Sequence, residues 1–239
     1  MEAEAQSIRE RLTSVLRRIE AAAERAGRDP AAIRIVVVTK GHSTETIRAA
    51  HTCGIRLLGE NRVDEAIPKL AVLEDLADAQ WHLIGPLQSR KVRMVQDAFH
   101  LIHAVDRIKI ARMLQEAAAG LGRRQAVLLE CNVSGEATKA GWKMDVAADQ
   151  AGALAEMREV ASLPNLRLLG LMTMAPETDD EAVHHRTFRR LADLRSQLED
   201  DLGQALPELS MGMSDDFSAA VEEGATLVRI GRAILGERN

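Results

Sequence analysis

Residues 33–40 read Ile-Arg-Ile-Val-Val-Val-Thr-Lys, and Ile33–Thr39 is a run rich in β-branched side chains. Such a run is too short for a helix and predicts a buried strand. The segment before it has apolar residues spaced as on one face of a helix, which Gly27 and Pro30 terminate. This apolar face comprises Ile8, Leu12, Val15, Leu16 and Ile19.

The alternation of helical pattern and short apolar run continues along the whole chain. After the first strand, Ser43 is placed to cap a helix that ends near Cys53 and Gly54. Seven further strands are predicted at Ile55–Leu58, Trp81–Ile84, Phe99–Ile102, Ala126–Val133, Leu166–Met172, Glu208–Met211 and Thr226–Ile230. Helical stretches are predicted between them near 62–77, 88–97, 107–120, 145–161, 180–201 and 215–223.

Eight strands alternating with helices indicate an α/β fold. Dividing the 239 residues by eight leaves about 30 per strand-helix unit, which is what a (β/α)8 barrel requires. We therefore predict a single (β/α)8 TIM-type barrel over residues 1–239, with an extra N-terminal helix. A doubly wound open sheet is the alternative, because periodicity does not reveal strand order. The barrel is favoured because no GxGxxG turn follows the first strand.

Composition excludes several classes of protein. With 46% hydrophobic residues the chain can bury a full core, and its net charge of −5 gives no reason to expect nucleic-acid binding. The acidic N-terminus and the lack of a long apolar run predict neither secretion nor a membrane span. Two cysteines, Cys53 and Cys131, are too few for a disulfide framework and favour a reducing cytoplasm.

The histidines do not suggest a metal site. His100 and His103 are three positions apart in a predicted strand, so they should point to opposite faces. His184 and His185 lie on a polar helix without a further ligand at helical spacing. We expect no metal.

Lys40 is the strongest candidate for chemistry. In a barrel of this type the reactive groups lie where strands end, and Lys40 closes the first strand. Apolar surroundings there would disfavour the ammonium and leave a nucleophilic amine, the condition for a Schiff base with an aldehyde. A solvated lysine at the start of a loop is the simpler reading of the same position.

The loops after the last two strands form the usual phosphate site of such barrels. They contain Gly212 and Gly231, which let the backbone approach an anion, and Ser214, which offers a hydroxyl. Asp215 and Asp216 argue the other way, because carboxylates there are equally consistent with two capped turns. The presence of both loops at the expected positions favours phosphate.

A resemblance to a known family rests on residues 81–91, Trp-His-Leu-Ile-Gly-Pro-Leu-Gln-Ser-Arg-Lys. This segment resembles the signature of the pyridoxal phosphate homeostasis proteins. The resemblance covers essentially the full chain and implies a barrel like the N-terminal domain of alanine racemase. Further blocks match the family in order at Val38–Lys40, Gly59–Asn61, Gly170–Met172, Ser210–Asp216 and Val228–Gly231.

The resemblance implies roles for individual residues. Pyridoxal 5′-phosphate (PLP) would be held as an aldimine on Lys40, and its phosphate would be held by Ser214 and the backbone of Gly231 and Arg232. Arg229 would face the pyridine nitrogen. Two further residues, Asn61 and His82, would lie near the cofactor. The chain departs from the family's Thr-x-Pro-like turn at Gly41-His42-Ser43, which affects the loop but not the lysine.

The resemblance also implies a carrier with no established reaction. A guanidinium at Arg229 would disfavour protonation of the ring nitrogen and weaken the electron sink. The related racemases use a tyrosine base, and this chain contains no tyrosine. We expect a cytoplasmic monomer that buffers PLP and passes it to apo forms of PLP-dependent enzymes. Two alternatives remain open, a PLP-dependent amino-acid racemase and a PLP-free Schiff-base aldolase.

Overall fold

The strands of the computed structural model close into a barrel. The model describes residues 2–136, 138–145 and 147–237, and every strand pairing within them is parallel. β1 pairs with both β2 and β9, and β4 pairs with β5, so eight strands form a ring and β6 lies outside it. The strands are β1 (Arg34–Val38), β2 (Leu57–Glu60), β3 (Gln80–Leu83), β4 (Leu101–Val105), β5 (Gln125–Asn132), β6 (Trp142–Lys143), β7 (Leu166–Met172), β8 (Glu208–Ser210) and β9 (Leu227–Ile230).

Helices connect the strands and surround the barrel. Short 3₁₀ turns precede β1 at Pro30–Ala32 and α4 at Ser89–Lys91. Among the described helices, none is long and apolar enough to cross a membrane. The helices are α1 (Glu2–Arg25), α2 (Thr44–Thr52), α3 (Val63–Val72), α4 (Val92–Val95), α5 (Ile108–Gly120), α6 (Ala147–Ser162), α7 (Glu181–Leu202), α8 (Phe217–Glu222) and α9 (Arg232–Leu235).

Two apolar cores hold these layers together. A small one fills the barrel, and a larger one lies between the strands and the surrounding helices. The larger core includes α1, which packs against α2, α8 and α9. Burial of these side chains from water supplies most of the stabilisation of both cores. The buried residues inside the barrel are Val36, Leu101, Ala104, Ala126, Leu128, Met172 and Leu227.

The predicted (β/α)8 barrel with an extra N-terminal helix is confirmed, and the open sheet is wrong. The strand expected at Phe99–Ile102 instead spans Leu101–Val105. Inside the barrel, His103 has polar partners on β3 and on β8, and it remains in β4.

Other details of the prediction are corrected. The helix expected over 88–97 is a 3₁₀ turn followed by the single turn of α4. Two short elements, β6 and α9, were not predicted, because they contain too few residues to give a periodic hydrophobic pattern. Leu16 shares the predicted apolar face but is 43% exposed, and the described contacts of α1 are mainly with α2, α8 and α9. His184, expected on a polar helix, is buried close to Phe188.

Candidate functional site

A cavity of about 490 Å³ opens at the carboxyl ends of the strands. Its volume lies in the range of small-molecule sites, about 300–1,000 Å³. Six loops contribute to it, those following β1, β2, β3, β7, β8 and β9. Six of the seven site residues expected from the sequence line it, namely Lys40, Asn61, Ser214, Arg229, Gly231 and Arg232.

The strand end that carries Lys40 is held by a buried polar cluster. The side chain of Glu60 is fully buried, and its Oε1 accepts hydrogen bonds from Thr39 Oγ1 and Lys69 Nζ, both at 2.7 Å. Lys69 Nζ also donates to the carbonyl oxygen of Thr39 at 3.1 Å. Because both the hydroxyl and the carbonyl of Thr39 are bound, this cluster constrains the backbone immediately before Lys40.

Backbone N–H groups form a second part of the cavity. The N–H groups of Ser214, Gly231 and Arg232 have no hydrogen-bond acceptor within residues 2–136, 138–145 and 147–237. The carboxylates of Asp215 and Asp216, which were equally consistent with two capped turns, bind other groups. Asp216 accepts from the N–H of Met213 at 2.5 Å, and Asp215 pairs with the Arg232 side chain at 3.1 Å. The three N–H groups are therefore available to an anion.

Arg229 is held rigidly beneath the cavity. Its Nη1 donates to the carbonyl and the hydroxyl of Ser210 at 2.8 and 2.6 Å, and its Nη2 donates to the Thr173 carbonyl at 2.9 Å. Burial lowers the pKa of Arg229 to about 10, although the nearby charges of Asp216 and Glu130 act to raise it. Arg229 therefore remains protonated at neutral pH.

His82 does not line the cavity but belongs to a hydrogen-bonded chain that ends at Arg229. His82 Nδ1 lies 2.9 Å from His103 Nε2, and His103 Nδ1 lies 2.8 Å from Ser210 Oγ. Burial lowers the pKa of His82 to about 3 and that of His103 well below its usual value, so both rings are neutral.

The position of each hydrogen in this series of hydrogen bonds is determined by Arg229, at its end. Arg229 can only donate, so Ser210 Oγ accepts its hydrogen bond. The arrangement that also uses the hydroxyl hydrogen of Ser210 has Ser210 donating to His103 and His103 donating to His82. Each side chain from Arg229 to His103 then donates one hydrogen bond to the next, and His82 accepts the last one. His82 thereby helps to hold Arg229 in position.

Glu130 is, with Asp216, one of two buried carboxyl groups near Arg229. Its Oε2 is buried and has no hydrogen-bond partner in the described part of the chain. Burial, followed by the charge of Asp106, raises the pKa of Glu130 to about 7, while Arg229 acts to lower it. Near neutral pH this group therefore changes between the acid and the carboxylate.

Gly85, in the segment that resembles the family signature, makes room for Asn61. A Cβ atom at residue 85 would lie 2.2 Å from the carbonyl oxygen of Asn61 and 2.5 Å from its Oδ1. Backbone cannot yield to such an overlap. The glycine after β3 thus allows the loop after β2 to place Asn61 at the cavity wall.

Further residues lie around the site. His42, Met174 and Met213 line the cavity, and both methionines are partly exposed at its mouth. The two methionines follow strand ends, where the barrel rule places functional groups, but the sequence assigned them no role. Lys69 is on helix α3, away from any strand end, and no pattern pointed to it. In the described residues, no group of three or more His, Cys, Asp or Glu is placed to hold a metal ion.

Comparison with known proteins identifies the family of this chain. The family model of the alanine racemase N-terminal domain matches residues 11–239. A pyridoxal phosphate homeostasis protein from Pseudomonas aeruginosa is 46% identical, over 98% of this chain and 96% of its own length. The chain belongs to the pyridoxal phosphate homeostasis family. A second member, from Aquifex aeolicus, is 43% identical over 96% of this chain and 97% of its own length.

Solved structures similar to this chain have the same barrel. PipY from Synechococcus elongatus, solved with PLP bound, is 36% identical and superposes with a TM-score of 0.82 over 96% of this chain and all of its own. An alanine racemase from Clostridium difficile has a TM-score of 0.69 at 17% identity, over 92% of this chain and 56% of its own. At that identity the racemase shares the fold alone.

Proposed function

We propose that this protein binds PLP in the cavity at the barrel mouth and serves as an intracellular carrier and buffer of that cofactor. One observation carries the proposal. Lys40 lines the same cavity as the buried cation Arg229 and three backbone N–H groups that have no acceptor in the described part of the chain. An aldehyde, a phosphate and a pyridine ring are the three parts of PLP, and each finds a suitable group there.

The donor set fits the cofactor. Lys40 supplies the amine for the aldehyde, while Ser214 and the backbone of Gly231 and Arg232 hold the phosphate. Val38 and Ile84 line the cavity with apolar side chains suited to the ring. Multiple charge-assisted hydrogen bonds to the dianionic phosphate provide a large share of the affinity.

The remaining expected residues orient the site. Arg229 would face the ring nitrogen and, because it stays charged, would disfavour protonation of that nitrogen. Asn61 would contact the cofactor from the loop after β2. His82 acts without contact, through His103 and Ser210, by holding Arg229 in place.

When bound, PLP supplies a reactive aldehyde and an electron sink. The residues of this chain favour storage of that group over its use in catalysis. The sequence has no tyrosine to act as a racemase base, and Arg229 weakens the electron sink. We propose that the protein is a cytoplasmic monomer and that apo forms of PLP-dependent enzymes accept the PLP it releases.

The proposal is tested by titrating the purified protein with PLP and following visible absorbance. The wild type is expected to saturate at one PLP per chain. Lys40→Ala should lose the visible band, whereas Lys109→Ala, at an exposed lysine of α5, should behave as the wild type. An unchanged band in Lys40→Ala would overturn the assignment of Lys40.

A further inference from the structure

We propose that the N-terminal helix is a positioning device for the phosphate site, acting through Arg11 and Arg28. This inference rests on the proposed function, since it assigns the phosphate of PLP to the loops at Ser214 and at Gly231–Arg232. Each loop leads into a short helix, α8 and α9 respectively. The two arginines bind the opposite ends of these helices.

Arg11, on α1, binds the end of α9. Its Nε donates to the carbonyl oxygen of Ile234 at 2.7 Å, and its Nη2 donates to that of Leu235 at 3.2 Å. These residues end the helix that starts at Arg232. The guanidinium thus fixes the far end of the segment whose near end would contact the phosphate.

Arg28, in the turn after α1, does the same for α8. It donates to the carbonyl oxygens of Val221 and Ala225, the latter at 2.8 Å. Burial and the charge of Arg195 lower the pKa of Arg28, so the group is held there at an electrostatic cost. An arginine in such a position is best explained by the carbonyl groups that it binds.

Two further arginines, both on α1, attach this helix to α8. The guanidinium carbon of Arg18 lies 4.2 Å from the ring centroid of Phe217, the first residue of α8. Arg25 pairs with Glu222, the last residue of α8, at 2.6 Å. Contacts at its first and last residues hold α8 against α1 along its whole length.

The short helices need this support. Helices α8 and α9 have 6 and 4 residues, and helices of that length are not stable by their own hydrogen bonds. Their positions, and hence those of the Ser214 and Gly231 loops, depend on tertiary contacts. Arg11 and Arg28 provide charged donors to backbone acceptors, which are the stronger class of hydrogen bond.

The test compares PLP with pyridoxal, which lacks the phosphate. Arg11→Met and Arg28→Met should each weaken PLP binding about tenfold, the effect of displacing one N–H donor from the charged phosphate. Pyridoxal affinity should change less than about twofold, since pyridoxal does not use the phosphate site. Arg17→Met is the control, because Arg17 lies on the exposed side of α1.

The outcomes separate this inference from the proposed function. A wild type that binds pyridoxal as tightly as PLP would show that the loops do not hold a phosphate, and the proposed site would be wrong. If the wild type prefers PLP and Arg11→Met keeps that preference, the positioning role is overturned. An equal loss of affinity for both ligands would also overturn it, as general destabilisation. Should Arg28→Met fail to fold, Arg11→Met decides alone.

Discussion

The guanidinium of Arg229 donates hydrogen bonds to both oxygens of Ser210, to the hydroxyl at 2.6 Å and to the carbonyl at 2.8 Å. Ser210 ends β8 and Arg229 lies in β9, so the contact joins neighbouring strands beneath the cavity. Because His103 binds the same hydroxyl, the position of Arg229 is set by the barrel interior before any ligand enters. The site is preorganised, which lowers the cost of binding.

Removing the hydroxyl should destabilise the protein. In Ser210→Ala, His103 Nδ1 and one Arg229 donor lose a buried partner, at a cost of about 1–3 kcal/mol. Urea denaturation of the apoprotein measures the loss. Ser196→Ala, which removes an exposed hydroxyl from α7, should stay within about 0.5 kcal/mol of the wild type. Equal stabilities for the two variants would contradict the hydrogen-bonded chain.

Acid should destabilise the fold through the neutral histidines. The pKa of His82 is about 3 in the folded state, against 6.5 for an unperturbed histidine. Between these values the unfolded state binds the additional proton, so the free energy of unfolding falls as pH decreases, by up to about 1.4 kcal/mol per pH unit for each such histidine. Glu130 has a pKa of about 7 in the folded state, against 4.5 for an unperturbed glutamate. Between these values the folded state binds the additional proton, so Glu130 makes the free energy of unfolding rise as pH decreases.

Comparison of variants isolates the histidine contribution. Urea denaturation at pH 5 and pH 7 should show a smaller difference for His82→Asn than for the wild type. In Glu130→Gln the difference should instead be larger, because the opposing slope is removed. A pH dependence that is the same in wild type and His82→Asn would mean that the folded-state pKa of His82 is not depressed.

What the sequence could predict depended on local patterns. The strand that leads to Lys40 is a contiguous apolar run, and the glycines of the last two loops stand at strand ends. The barrel rule then placed Lys40, Ser214 and Gly231 in one cavity. These are signals that a single segment carries by itself.

The contacts that the sequence did not predict join residues that only the folded barrel brings together. His103 meets Ser210 only because β4 and β8 face each other across the interior, 107 positions apart in the sequence. Likewise, Lys69 reaches Thr39 from a helix, and Arg11 meets Ile234 near the other end of the chain. No periodicity encodes such pairs, so the sequence showed His82 only as a residue near the cofactor.

A side chain at residue 231 should block the phosphate site. A Cβ atom there would lie 3.3 Å from both the Cβ and the carbonyl oxygen of Val38. Gly231→Val should therefore weaken PLP binding by about tenfold or more, while pyridoxal binding changes little. Gly152→Val on α6, where a Cβ meets open space, serves as control. Unchanged PLP affinity in Gly231→Val would exclude the loop from the phosphate site.

Incubation with amino acids should give no enzyme-like turnover. The PLP-loaded protein would be mixed with alanine or serine in deuterated water, and the products followed by chiral analysis. A missing general base typically costs about 10²–10⁴-fold in rate, so only slow exchange at the α-carbon is expected. Sustained racemisation that Lys40→Ala abolishes would make the protein a PLP-dependent enzyme and contradict the carrier role.

The most direct test of the account is to locate the covalent bond between PLP and the protein. One equivalent of PLP would be added, the adduct reduced with borohydride, and the modified peptide identified by mass spectrometry. We predict a single phosphopyridoxyl group on Lys40 in the wild type and none in Lys40→Ala. Stoichiometric labelling of another lysine, such as Lys69, Lys91 or Lys139, with Lys40 unmodified would contradict the central claim.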